Sequence, residues 1–134
     1  MPICAWDPRL ATGDPVVDHQ HQTLFSMVNG LHEAIASGAT RPRIQRILEE
    51  LSTYTFEHFA AEERLMARVG YPAMAGHVCK HQDMAKQAIE IIDGYRSGRL
   101  TVSLTLPQFL ADWVRHHIAE EDLGMITWIR AQRG

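Results

Sequence analysis

Along the 134-residue chain, apolar side chains return at spacings of three and four in four separate stretches, the period of amphipathic helices. Leu24, Val28, Leu31 and Ile35 mark the first, with Asp18 as a candidate cap and Gly38 as its end. Thr40 and Pro42 open a second stripe through Ile44, Ile47, Leu48, Leu51, Leu65 and Val69, which Gly70 closes. Pro72 opens a third, with Met74, Met84, Ala88, Ile91 and Tyr95, ending about Gly94 or Gly98. After Thr105 and Pro107 the fourth carries Leu110, Trp113, Val114, Ile118, Met125, Ile126 and Ile129. No stretch between them reads as a strand.

The predicted helices cover about residues 18–37, 41–69, 72–96 and 106–131. Connections this short favour antiparallel neighbours, so the expected fold is all-α: an up-down-up-down four-helix bundle forming one domain. Residues 1–17, with Pro2, Pro8, Gly13 and Pro15, read as an irregular arm that lays Trp6 across the bundle.

Polar residues that interrupt the apolar stripes are informative, because burying such groups is costly unless they are satisfied. Each helix carries histidine there. His21 is in phase with Val28 and Leu31. Leu51 leads through Thr55 to His58 and Glu62, and Met74 leads to His77, His81 and Met84. Side chains four apart on a helix lie within about 5–6 Å, close enough to share a metal.

In the fourth helix the stripe reaches His117 and then Asp122. Five residues turn a regular helix through about 500°, which splays these two apart. A one-residue π-bulge would return both to one face. His117 with Glu121, and His116 with Glu120, are in-register alternatives that spacing leaves open. Five inward histidines and two inward carboxylates are too many donors for one ion, whereas carboxylates can bridge two metals about 3.5–4 Å apart.

Composition narrows the alternatives. Eight histidines are a marked excess, and His19, His32 and His116 read as surface or capping groups. A net charge of -3 without a basic cluster argues against nucleic acid as a partner. No apolar run is long enough to span a bilayer, and the start MPICAWDPRL lacks the features of a signal peptide, so a cytoplasmic protein without membrane insertion is expected. Cys4 and Cys79 are expected to be buried free thiols.

The segments DHQH at 18–21, HFAAE at 58–62, HVCKH at 77–81 and HIAEED at 117–122 together resemble the hemerythrin family, and the N-terminal tryptophan segment is similar to its bacterial branch. The resemblance implies two non-haem iron ions with a bridging oxo or hydroxo group. His77, His81 and His117 would bind one, His21 and His58 the other, and Glu62 and Asp122 would bridge them. It further implies reversible dioxygen binding beside the two-histidine iron, in a pocket formed by Leu24, Phe59, Val114 and Ile118 with Trp113 nearby. Val114 stands where a larger leucine is common in the family, which implies a roomier pocket and faster autoxidation.

The expected function is therefore oxygen storage, transport or delivery by a monomer, with an oxygen-consuming enzyme as a candidate partner. Oxygen or nitric-oxide sensing, redox or iron handling, and metal storage are the alternatives. An enzyme is not expected: a ferritin-like oxidase needs Glu-x-x-His pairs on two helices, and none falls on the stripes.

Overall fold

The computed structural model describes residues 3–99 and 103–132. Four helical rods make the bundle: α1 (Pro15–Ala36), α2 (Arg41–Val69), α3 (Met74–Arg96), and a fourth rod comprising α4 (Thr105–His117), a π-helical turn (Ile118–Asp122) and α5 (Leu123–Gln132). Helix α2 packs against both α1 and α3, and α4 lies against α1. No strand occurs among the described residues.

The helix ends follow local chemistry, with some departures from the stripes. Asp14, not Asp18, caps α1: its Oδ1 accepts the N–H groups of Val16 and Val17, and Pro15 begins the helix where a missing N–H costs nothing. Asp18 instead anchors the preceding arm. Its carboxylate accepts from the Thr12 N–H and hydroxyl, both at 2.8 Å, and from the Gly13 N–H at 3.2 Å.

Thr40 caps α2, and Gly70 ends it in the left-handed region at φ 68°. Pro72 precedes α3, which starts at Met74. Gly94 lies buried inside that helix, and the chain turns at Gly98. Thr105 belongs to α4, with its N–H bonded to Ser103 Oγ. Part of the expected connection at 97–106 and Pro2 of the arm lie outside the described residues.

The arm contains a short 3-10 turn (Pro8–Leu10) and is tied to the bundle. Asn29 exchanges two 2.9 Å hydrogen bonds with the Cys4 backbone, and Trp6 meets Phe25 edge-on at 5.5 Å. Arg130 donates to the Thr12 carbonyl at 3.0 Å beside Gly13, whose φ is 88°. A Cβ at Gly13 would lie 2.1 Å from the Arg130 guanidinium. Gly13→Ala is thus expected to destabilise the fold by about 2 kcal/mol, from the left-handed backbone and the disturbed hydrogen bond. An unchanged urea midpoint would contradict this.

Of the two cysteines, Cys4 is buried and burial pushes its thiol up to about 11, whereas Cys79 is exposed. Two residues from His77, Cys79 points away from the face that histidine shares with the core. The core itself is divided. One apolar cluster includes Leu24, Val28, Leu31, Leu48, Leu51, Leu110 and Val114; the other is formed by Val17, Met66, Met125, Ile126 and Ile129. Along α1, His21 falls between Val17 of one cluster and Leu24 of the other, so the bundle carries a polar layer between two apolar ones.

Candidate metal centre

Every helical rod contributes to the polar layer. His21 comes from α1, His58 and Glu62 from α2, His77 and His81 from α3, and His117 and Asp122 from the fourth rod. All seven are buried, none more than 6% exposed. His19 and His116 are exposed and His32 is half-buried, apart from this cluster.

The π-helical turn resolves the fourth rod. Leu123 donates its N–H to the Ile118 carbonyl, five residues back, so the helix holds one extra residue in that turn. His117 and Asp122 therefore both face inward, with His117 Nε2 3.1 Å from Asp122 Oδ1. Glu120 and His116 are exposed and Glu121 is half-buried, which removes the in-register alternatives.

The two carboxylates divide their oxygens between two groups of imidazoles. Glu62 Oε1 lies 3.0 Å from His81 Nε2 and 3.4 Å from His77 Nε2, while Asp122 Oδ1 lies 3.0 Å from His77 Nε2. The other oxygens face the opposite way: Glu62 Oε2 is 3.2 Å from His58 Nε2, and Asp122 Oδ2 is 2.9 Å from His21 Nε2. Two overlapping donor sets result, Glu62–His77–His81–His117–Asp122 and His21–His58–Glu62–Asp122, each with its atoms within 4.8 Å of one another.

These donors fit a metal pair better than a hydrogen-bond network. Nε2 of His21, His58, His77 and His117, Oε2 of Glu62 and both oxygens of Asp122 are buried without a hydrogen-bond partner, despite their short mutual distances. Such atoms are costly in an apolar interior unless something coordinates them. Two carboxylates, each offering one oxygen to either side, are what a bridged pair of cations requires.

Electrostatics bind the layer together. Burial opposes charge on His58 and His77, but the adjoining Asp122 and Glu62 outweigh it and raise both imidazoles to about 9. His21 is raised by the same balance. Burial and mutual repulsion push Glu62 upward, yet the surrounding imidazoles hold it well below the usual carboxylate range. Asp122, fully buried, is held down likewise.

Two outer nitrogens are held as well, whereas Nδ1 of His21 is buried without a hydrogen-bond partner. The Nδ1–H of His58 donates to the Gln20 amide oxygen, and that of His81 donates to Glu63 Oε2 at 2.9 Å. Phe59 stacks on the His81 ring, with centroids 4.0 Å apart and planes at 9°.

A cavity of about 10 Å³ lies against His21, His58, His117 and Asp122, walled by Leu24, Thr55, Phe59, Met84, Val114 and Ile118. Trp113 is not in this wall. It borders a neighbouring cavity with Val28, Leu51 and Leu110, and its indole N–H donates to Gln87 Oε1 at 2.8 Å. Thr55 and Met84 lie on the helical stripes and join the pocket wall beyond the residues expected there; Gln20 belongs to the DHQH segment, which says nothing of its partner, and Glu63 carries no sequence signal beyond its place beside Glu62.

A family model described as the hemerythrin HHE cation binding domain matches residues 12–129. The chain is a member of the hemerythrin family. It is 34% identical over 130 residues to a bacteriohemerythrin of Pseudomonas aeruginosa (strain LESB58), covering 97% of this chain and 84% of that protein. A bacteriohemerythrin of Methylococcus capsulatus (strain ATCC 33009 / NCIMB 11132 / Bath) is 31% identical, covering 91% and 93%. The crystal structure of a wild-type hemerythrin superposes with a TM-score of 0.83 at 31% identity, covering 89% of this chain and 92% of that one.

The hemerythrin family binds a diiron centre, and its members are generally oxygen-binding proteins rather than enzymes. The His/Glu/Asp cluster of this chain is able to hold such metal ions. Among the described residues, no helix is long and apolar enough to cross a membrane.

Proposed function

We propose that this protein binds dioxygen reversibly at a diiron centre and serves oxygen storage or delivery. In this reading His77, His81 and His117 hold one iron, His21 and His58 hold the other, and Glu62 and Asp122 bridge them. The observation that carries it is the pairing of unequal donor sets with a cavity beside the smaller one. The chemistry supplied by a bound ferrous pair is the reversible transfer of two electrons to dioxygen.

The protein's part is to shape and dry the site. With one donor fewer, the His21–His58 side is where an exogenous ligand fits. Leu24, Phe59, Met84, Val114 and Ile118 give that side apolar walls, which exclude water and the protons it would carry. Thr55 brings a hydroxyl to the wall, but it donates to the Leu51 carbonyl at 2.8 Å and so offers no free proton. About 10 Å³ is the order of one water molecule, which suits a diatomic ligand and leaves no room for an organic substrate.

Iron loading, anaerobic reduction and cycles of air and argon test the proposal. A visible charge-transfer band that forms with oxygen and vanishes without it supports reversible binding. Absence of the band in fully loaded, reduced protein rejects it. Delivery is tested by adding an oxygen-consuming enzyme, which should bleach the band faster than argon alone.

Val114 sets part of the cavity wall, so Val114→Leu is expected to slow autoxidation by narrowing access for water. Equal decay of the oxygenated band in both proteins would count against that role.

A further inference from the structure

The two sides of the cluster differ in more than the number of their imidazoles. His58, in the smaller donor set, is held through Nδ1 by Gln20, a neutral amide. His81, in the larger set, is held through Nδ1 by Glu63, a carboxylate whose side chain is 34% exposed. Each acceptor fixes its ring as the tautomer that carries hydrogen on Nδ1, leaving Nε2 to face the centre. Only one of them adds a formal negative charge.

We infer that Glu63 and Gln20 are positioning residues that make the two metal positions electronically unequal, Glu63 favouring the ferric state of the three-histidine side and Gln20 sparing the two-histidine side. The inference rests on the diiron reading above. A carboxylate accepting the outer N–H makes an imidazole a stronger donor, and stronger donation stabilises the more highly charged metal. An amide orients its ring equally well without adding that charge. Oxygen would then meet the side whose outer partner is neutral, while the anion sits on the far side of both bridging carboxylates.

The two residues reach the cluster from different helices, Gln20 from α1 to His58 on α2 and Glu63 from α2 to His81 on α3. Glutamate and glutamine are near-isosteric, so exchanging one for the other at either contact changes charge with little change of shape.

Spectroelectrochemical titration of iron-loaded wild type, Glu63→Gln and Gln20→Glu decides the matter. Glu63→Gln is expected to raise the midpoint potential and Gln20→Glu to lower it. Each should change the ferrous-to-ferric ratio at the wild-type midpoint by about tenfold, the scale of outer-shell effects on metal sites. The double exchange should return the overall midpoint towards wild type, which a folding defect would not do.

Shifts of the same sign, or none, in variants that retain two irons per chain would overturn the inference while leaving the diiron reading intact. Failure of the wild type itself to take up two irons would overturn both.

Discussion

Removing the metals is expected to lower the melting temperature by more than 10 °C. Seven ionisable side chains are packed between two apolar clusters, and apart from the 3.0 Å pair of His81 Nε2 and Glu62 Oε1 their inward-facing atoms have no hydrogen-bond partners to replace coordination. A ligand present at a thousand times its dissociation constant stabilises the folded state by about 4 kcal/mol. For a domain of this size that corresponds to roughly 12 °C, before the second ion is counted. Scanning calorimetry of iron-loaded and chelator-treated protein checks it, and coincident transitions would show that these residues are not a metal site.

The metal-free form should also carry its own pH dependence. His58 and His77, raised to about 9, contribute stability that is fully present below pH 6.5 and lost as pH rises through about 9. Glu62 and Asp122, held low, contribute stability that is present above the ordinary carboxylate range and lost as pH falls through their depressed values. Stability of the metal-free protein should therefore be greatest in the acid-to-neutral window between. Since coordination needs imidazole nitrogens free of protons, metal uptake at neutral pH should release protons, and affinity should rise with pH.

Much of this site was legible because polar residues sat in phase with apolar stripes. His21, His58, Glu62, His77 and His81 follow from helical spacing alone. His117 and Asp122 did not, since a spacing of five is compatible with an inward pair only if the backbone departs from α geometry. The extra residue between Ile118 and Asp122 makes that departure, and the Leu123 to Ile118 hydrogen bond records it.

Other features were hidden for different reasons. Gln20 and Glu63 act across helix interfaces, which periodicity on one helix does not register. Trp113 lies on the right stripe, yet its indole turns towards Gln87 and the neighbouring cavity. At the start of α1 the decisive sign was Asp14 followed by Pro15, a cap and first-turn proline. The apolar stripe begins later and drew attention to Asp18.

Phe59→Ala is expected to weaken both the fold and the oxygenated state. The Phe59 ring is 5% exposed, stacks on His81, meets His117 edge-on at 5.6 Å and walls the cavity beside His21 and His58. Truncating a buried phenylalanine costs about 3–5 kcal/mol, or roughly 9–15 °C for a chain of this length. The space left would join a cavity of about 10 Å³ and admit water to the apolar side of the centre. Decay of the oxygenated band should accordingly accelerate. Phe59→Leu separates the two effects: it retains an apolar wall while losing the stack on His81, so it should recover more of the oxygenated lifetime than of ring order at His81. Calorimetry of the metal-free variants isolates the packing loss, and decay in air at equal iron content reports the cavity. If Phe59→Ala matched the wild type in that decay, the apolar wall would not be what protects the centre from water.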